Sequence, residues 1–425
     1  MKKRNKIKLS ICALTALTLL VSGCGNSDTK SNGDSSANKD QKVKIRMAYW
    51  NKEDSMKTLL DLIKVKLPNV ELDYQFIDNK QYDNIIATQL AAQSGPDIIA
   101  VAPAASAKYA KLGYLDDISS LANLYSDAGK NVYSTDGKLY AIPGISWFEG
   151  IFYNKEIFSK YNLKPPTTFE EELNIHEVLT KNGVKPQAFG AKSWEPMMKS
   201  SMGLVMNDFL SKPENKDFDV KFGQGQTMLD GNWNASLDTW SQLIQKGYIN
   251  KDMLGVDYDQ ALDEFATGKA AMWESGPWAL ETIKAKNPNI KMDMFPFYGS
   301  APGEGWLIGG PGVGFAVNSK SKQKEAVMQV LQLISTPEGQ KAFWNDNKGG
   351  SSYLKGVEFE IPAEYEGVKE TFKAGNVYAP WNNWGNNAQS IIEDYGKHLQ
   401  ELLGGQSDVS EALKATDKKA ASLHK

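Results

Sequence analysis

The sequence is poor in the residues that staple or metallate small proteins. Among 425 residues there are two Cys and three His, which excludes a disulfide framework and argues against a Cys/His zinc site. It also lacks a basic surplus. Lys and Arg number 48 against 51 Asp and Glu, a formal charge of −3, so nothing provides for neutralising phosphates and nucleic acid is not an expected partner. No P-loop and no G-x-S-x-G elbow occurs. Residues 346–350 faintly resemble a calcium loop but lack the acid spacing and the closing Glu, so no metal and no cofactor is expected. Beyond residue 21, no run approaches 18 consecutive apolar residues, the length that would suggest a membrane span. What is plentiful is aromatic surface: 11 Trp, 17 Tyr and 16 Phe. With 41% apolar and 23% charged residues, the chain supports a core for two ordinary domains or one bilobed body.

The first ten residues, MKKRNKIKLS, carry five positive charges, and an apolar run follows over 11–21. A charged start before a short apolar stretch is the pattern of a signal peptide. The run ends in Leu20-Val21-Ser22-Gly23-Cys24, small residues before a Cys, as in a bacterial lipobox. Residues 1–23 are therefore expected to be removed and Cys24 to carry lipid as the new N-terminus. The remaining chain has 43 basic and 51 acidic residues, a charge of −8, and loses Cys12 with the signal. Residues 25–42 contain no aromatic or branched aliphatic side chain. Such a stretch cannot offset its ordering entropy, so 24–42 is read as a flexible tether reaching about 25 Å as a coil.

Residues 43–50 alternate and then turn fully apolar, as a strand entering a core does. A helical period over 55–66, a strand over 70–77, a helix over 82–93 and a short buried strand over 97–101 follow. Strand–helix alternation of this kind predicts an α/β fold with a mostly parallel sheet covered by helices. Further along, 150–153, 269–274 and 312–317 read as strands. Helices are predicted over 155–160, 232–247, 258–267, 322–334, 388–403 and 410–423. Thr168 with Glu171 fits a capping box, and Thr336-Pro337 fits a cap and first helical residue. Residues 295–297 and 303–311 read as loops. No tandem repeat is present.

Four landmarks then occur in order. They are Ser94-Gly95-Pro96-Asp97-Ile98-Ile99; Leu139-Tyr140-Ala141-Ile142-Pro143 with Phe152-Tyr153-Asn154-Lys155; Phe265-Ala266-Thr267-Gly268-Lys269-Ala270-Ala271-Met272 with Ser275-Gly276-Pro277-Trp278; and Asp408-Val409-Ser410-Glu411-Ala412-Leu413. With them the chain resembles the family 1 extracellular solute-binding proteins, the sugar-binding lipoproteins of ABC importers, over about 43–420. The resemblance implies a two-lobed periplasmic-binding-protein-like fold of type II, with more than one chain crossover at the hinge. Lobe one would comprise 43–147 and 295–355, and lobe two 148–294 and 356–425. It implies a monomer that closes on a carbohydrate and delivers it to membrane permease subunits, and only indirectly meets the ATPase. Its place would be the outer face of a bacterial cell membrane, Gram-positive by expectation, held through the lipid alone.

A sugar presents apolar C–H faces that stack on aromatic rings and a hydroxyl rim that needs fixed donors and acceptors. Several Trp here stand beside carboxylates or amides: Trp50-Asn51, Trp147-Phe148-Glu149, Trp194-Glu195, Trp273-Glu274 and Trp381-Asn382-Asn383-Trp384. By resemblance, Trp278 matches the family's cleft tryptophan, and Glu195 falls where a hydroxyl-binding glutamate stands. Trp381 or Trp384 falls near a second stacking residue, and spacing does not choose between them. Trp147 lies at the first hinge, and Trp50 and Asn51 end the first strand where the cleft loop begins. Trp273, Asn383 and the Gly309-Gly310 pair complete the candidates; glycines there would let backbone N–H groups approach a ligand. Asp97 is expected to position its strand end. After Ile99 the chain has Ala100-Val101-Ala102-Pro103-Ala104-Ala105, without the aromatic and Asp-Arg pair by which maltose-binding members grip glucose. A sugar other than maltose is therefore expected.

Two other readings use the same residues. An anchored glycoside hydrolase needs two carboxylates across one bond, for which Glu149 with Glu195 or Glu274 with Glu304 are candidates. A binder of a cationic solute or peptide would also use aromatics with carboxylates. Glu170, Glu171 and Glu172 read as a solvated helix start, and His176, His398 and His424 as surface residues.

Overall fold

In the computed structural model, residues 42–423 are described, apart from Asn386. The signal peptide, Cys24, the tether up to residue 41 and His424 lie outside the described residues.

Two sheets organise the chain. The first is built from β1 (Val43–Tyr49), β2 (Val70–Phe76), β3 (Ile98–Val101), β6 (Ala141–Pro143) and β12 (Gly314–Val317), in the order β2-β1-β3-β12-β6. A small hairpin, β4 (Ser134–Thr135) with β5 (Lys138–Leu139), lies beside it in sequence. β1 pairs in parallel with β2 and β3, while β12 runs antiparallel to β3 and β6. β3 is buried along its whole length, as a strand covered on both faces must be. Helices Lys57–Lys66, Asn79–Ala91 and Lys324–Ile334 carry the apolar stripes that cover this sheet.

The second sheet contains β7 (Ser146–Asn154), β8 (Lys185–Ala188), β9 (Ala270–Ser275), β10 (Met292–Phe295), β11 (Leu307–Pro311) and β13 (Val377–Tyr378). Its order is β13-β11-β7-β9-β8, with β10 paired to the second half of β7. β7 is its spine. Trp147, Glu149 and Ile151 alternate with Phe148 and Phe152, and these two sets belong to opposite faces. The core of Phe148, Phe152, Trp273 and Phe265 fills one face, and Ile151, Met197, Trp240 and Tyr395 lie in the other.

Several expectations need correction. Of the stretches 295–297 and 303–311 that read as loops, Phe295 ends the strand Met292–Phe295 and 307–311 form another, while 296–297 and 303–306 lie outside the strands. Pairing to β7 supplies the order that local propensity does not. Consequently Phe295 and 307–311 belong to the second sheet, and the chain returns to the first sheet only at β12. The helix expected over 232–247 is two pieces, Asn234–Trp240 and Gln242–Gln245. Thr168 does cap its helix, accepting from the Glu171 N–H (3.2 Å), but the Glu171 carboxylate turns to the N–H and hydroxyl of Thr167, so the box is half formed. Thr336 accepts from the Gly339 N–H (3.0 Å), the cap that its Pro-containing sequence predicts. His176 is not a surface residue. It is 0% exposed and stacks on Tyr248 at 5.1 Å, because it shares the buried face of helix Phe169–Lys181 with Phe169, Leu173 and Leu179. Glu172 is buried on the same helix. His398 is partly exposed and bonds Glu401 and Asp394.

Candidate functional site

Three indoles meet where the chain enters the second sheet. Trp147 stands at the start of β7. Its ring lies 6.4 Å from that of Trp278 and 6.1 Å from that of Trp381, at interplanar angles of 45° and 35°. Trp278 is 43% exposed, the one Trp among the largely exposed apolar side chains of the described residues. The route to it is short and stiff: β9 ends at Ser275, Gly276 gives an extended backbone, and Pro277 opens a single helical turn. Trp381 rides on the turn Pro380–Asn383 that follows β13.

The neighbouring strand makes room for this group. Gly310 of β11 faces Trp147 in register, and paired residues project to the same side. A side chain at 310 would stand where the Trp381 turn approaches: an added Cβ would lie 3.6 Å from the Asn382 amide. Its φ of +153° also favours glycine. Gly309 is different. Its missing Cβ would meet the Trp147 carbonyl oxygen at 2.3 Å, so that close approach serves the chain's own sheet and not a ligand.

Beneath Trp147 lies a charged floor. Helix Glu195–Val205 packs along this face of the sheet and presents Glu195 and Lys199 one turn apart. The Lys199 ammonium donates to the Glu149 carboxylate and, at 3.0 Å, to Glu195, and sits 5.8 Å from the Trp147 ring centroid. Glu149 and Lys199 are almost fully enclosed, while Glu195 keeps 41% of its side chain in solvent. Burial alone would lower the Lys199 pKa, but the charges of Glu149 and Glu195 outweigh it and hold the ammonium protonated. Glu274, on β9, is 8% exposed and one of its carboxyl oxygens has no partner. Burial, with Glu149 adding to it, pushes its carboxyl well above the usual range.

The remaining candidates fall elsewhere. Trp384 is 1% exposed, wedged against Phe222 at 4.8 Å and Trp233 at 6.1 Å; it is core, and Trp381 is the one of the two that meets Trp147. Trp273 is also interior, against Phe152 and Phe265, since it occupies the opposite face of β9 from Glu274. Asn383 spends its amide on Asp219 (2.6 Å) and Tyr378 (2.7 Å), which fastens the Trp381 turn. Trp50 and Asn51 lie at the end of β1 in the other lobe. Trp50 packs on Tyr49 and Tyr82, and the Asn51 amide donates to Asn347 (3.3 Å). Asp97 accepts from the Arg46 N–H (2.8 Å) and the Ser321 hydroxyl (2.6 Å), a strand-end tie. Glu304 is exposed whereas Glu274 is buried, and Glu149 and Glu195 are both bound to one ammonium.

Sequence reasoning missed Lys199. The available signal was a lone cation in an otherwise uncharged helical run, four residues after Glu195.

A profile of the family described as bacterial extracellular solute-binding protein matches residues 49–341. The chain belongs to that family. Among curated relatives, this solute-binding protein is 25% identical over 360 residues to the multiple sugar-binding protein of Streptococcus mutans, covering 82% of this chain and 83% of that one. It is 22% identical over 419 residues to the melibiose/raffinose/stachyose-binding protein MelE of Bacillus subtilis, covering 94% and 93%. Among solved structures, a family 1 extracellular solute-binding protein from Bifidobacterium longum subsp. infantis superposes with a TM-score of 0.71 at 26% identity, over 90% of this chain and all of that one. RafE in complex with raffinose superposes with a TM-score of 0.76 at 17% identity, over 90% and 100%. The fold is therefore the two-lobed one of these proteins, and the protein works outside the cytoplasm as a solute binder.

Proposed function

We propose that this protein captures an uncharged oligosaccharide between its lobes and passes it to the permease of an ABC importer, without chemical change. The observation that carries the reading is the convergence of Trp147, Trp278 and Trp381 beside the half-exposed Glu195 carboxylate. Indoles supply platforms for pyranose faces, and the carboxylate accepts from hydroxyls. Stacking of this kind contributes about 0.5–1.5 kcal/mol per ring beyond area burial, and with hydrogen bonds this suffices for about micromolar affinity. The relatives, among them a multiple sugar-binding protein and a melibiose/raffinose/stachyose-binding protein, support the same class. They also favour binding over hydrolysis. Lobe closure would desolvate the ligand and present one shape to the permease.

Titration with neutral tri- and tetrasaccharides is expected to raise the melting temperature and quench Trp fluorescence. Trp278→Ala should weaken that affinity by about tenfold or more, roughly 1.4 kcal/mol. If no oligosaccharide moves either signal, the carbohydrate reading fails. If affinity in Trp278→Ala is unchanged, Trp278 is not in the site.

The proposal includes anchoring through lipid on Cys24, on the outer face of a Gram-positive cell membrane, with residues 24–42 as the leash. Cys24→Ser is expected to move the protein from the membrane fraction into the culture medium. Retention of that variant on the membrane would refute a lipid anchor at this position.

A further inference from the structure

The cation on the Trp147 face carries a second meaning. An ammonium held over an indole and between two carboxylates is the arrangement by which binding sites hold cationic ligands. Here all parts of that arrangement are present, and the cation comes from the chain itself: Lys199 Nζ contacts Glu149 and Glu195 and lies 5.8 Å from the Trp147 centroid. Its side chain is 13% exposed, so it is largely packed, with Nζ held 5.8 Å from the Trp147 ring centroid. We propose that Lys199 is a specificity-determining residue: it fills a cation seat from within, so that the site accepts uncharged polyhydroxy ligands and rejects those with an ammonium group at this position.

The physical reasons are two. A ligand ammonium brought to Trp147 would face a like charge at close range with little water to screen it, which is unfavourable. The Glu149 carboxylate is enclosed against Lys199, and Glu195, which Lys199 also contacts, keeps only its solvent-facing side for neutral hydroxyls. An ammonium has three N–H donors; two are taken by Glu149 and Glu195, and the third suits a ligand hydroxyl or ring oxygen. A cation locked between carboxylates thus becomes a fixed donor for a neutral ligand. The inference depends on the carbohydrate reading only for the identity of the accepted ligand; the filled seat stands on the geometry of this chain.

The test vacates the seat. In Lys199→Ala, Glu149 and Glu195 lose their shared cation and are left near one another with an unfilled volume between them. The melting temperature is expected to fall, and propylammonium is expected to restore a large part of the loss beyond what equal ionic strength of sodium chloride restores. Propanol, a neutral molecule of similar shape, should not. The wild-type protein should show no such amine effect. If the alanine variant does not fold, Lys199→Met, which keeps an apolar stem of similar length, is used for the ligand comparison. There, the wild-type protein should bind a neutral N-acetylated glucosamine tetramer at least about tenfold more tightly than its de-acetylated, ammonium-bearing counterpart. Lys199→Met should narrow or invert that ranking, and Lys199→Arg should preserve it.

Absence of amine-specific restoration in a folded Lys199→Ala, or equal wild-type affinity for the two tetramers, would overturn the proposal. Should propylammonium rescue Lys199→Ala while neither tetramer nor any of the neutral tri- and tetrasaccharides above binds, the seat is upheld and the carbohydrate reading is what fails.

Discussion

Glu274 occupies a position where its ionised form has little to lose by becoming neutral. One carboxyl oxygen is unpartnered and the side chain is enclosed; burial first, and the neighbouring Glu149 charge second, raise its pKa well above the ordinary 4.5. The folded protein then keeps a proton that the unfolded chain gives up. Its contribution to stability is fully present below about 4.5, the unfolded value, and is lost as pH rises toward the folded value. Glu274→Gln removes the titrating group and keeps the shape. The variant should match the parent near pH 4 and become progressively more stable than it toward neutrality. Denaturant melts across that window check this; a stability difference independent of pH would show that Glu274 is ionised in the folded state. Such a group was not legible in the sequence, where Trp273-Glu274 resembled the other Trp-acid pairs. The two residues point to opposite faces of one strand, and only pairing with β7 and β8 reveals that both faces are interior. For the same reason Trp381 and Trp384 were indistinguishable until the turn between them sent one indole to Trp147 and the other into the core.

At the scale of elements, the periodic segments were readable and the irregular ones were not. β1, β2, β3 and the helices around them follow from alternation and helical spacing because each buries a face against its sequence neighbours. β10 and β11 carry Pro or paired Gly at their ends and are strands only because the distant β7 lies between them and β9, so no local pattern announces them. His176 was readable after all: it sits at helical spacing from Phe169, Leu173 and Leu179, and polarity alone argued for the surface. Gly310 is the position beside the indole cluster that most favours glycine, since its φ is +153° and it pairs with Trp147 in register. Gly310→Val should therefore strain β11 opposite Trp147 and disturb the indole cluster, the Trp381 turn lying in van der Waals reach of the added Cβ. The expected result is a saccharide affinity lowered by about tenfold or more, alongside backbone strain of order 1–3 kcal/mol. Calorimetric titration with thermal melts separates the two effects. Unchanged affinity in this variant would mean that the approach of Trp381 to Trp147 contributes nothing to binding.

The whole molecule divides its labour unequally. All three clustered indoles, and the Glu149–Lys199–Glu195 floor, lie with the second sheet, whereas Trp50 and Asn51 lie apart from them at the end of β1, against Tyr49, Tyr82 and Asn347. Residues 346–352 join the two. Asp346 accepts from the Thr58 and Leu59 N–H groups of the first lobe, Lys348 pairs with Glu281 of the second, and Gly349, at φ +113°, lies against Pro277 and Phe148. On the function proposed above, a ligand would be held first by the clustered indoles and then covered by Trp50, which would separate capture from closure. Closure shifts the population only by as much as the ligand gains from touching the second surface. Trp278→Ala should consequently weaken capture strongly. Trp50→Ala should weaken affinity less and instead abolish the ligand-dependent fall in radius of gyration measured by small-angle X-ray scattering. The wild-type protein should compact on saturation, and its melting temperature should rise with ligand as mass action requires, by about 2.7 kcal/mol of stability at a hundredfold excess over Kd. Should Trp50→Ala cost as much affinity as Trp278→Ala, or the wild-type protein keep its radius of gyration on saturation, capture and closure would not be divided between the lobes in this way.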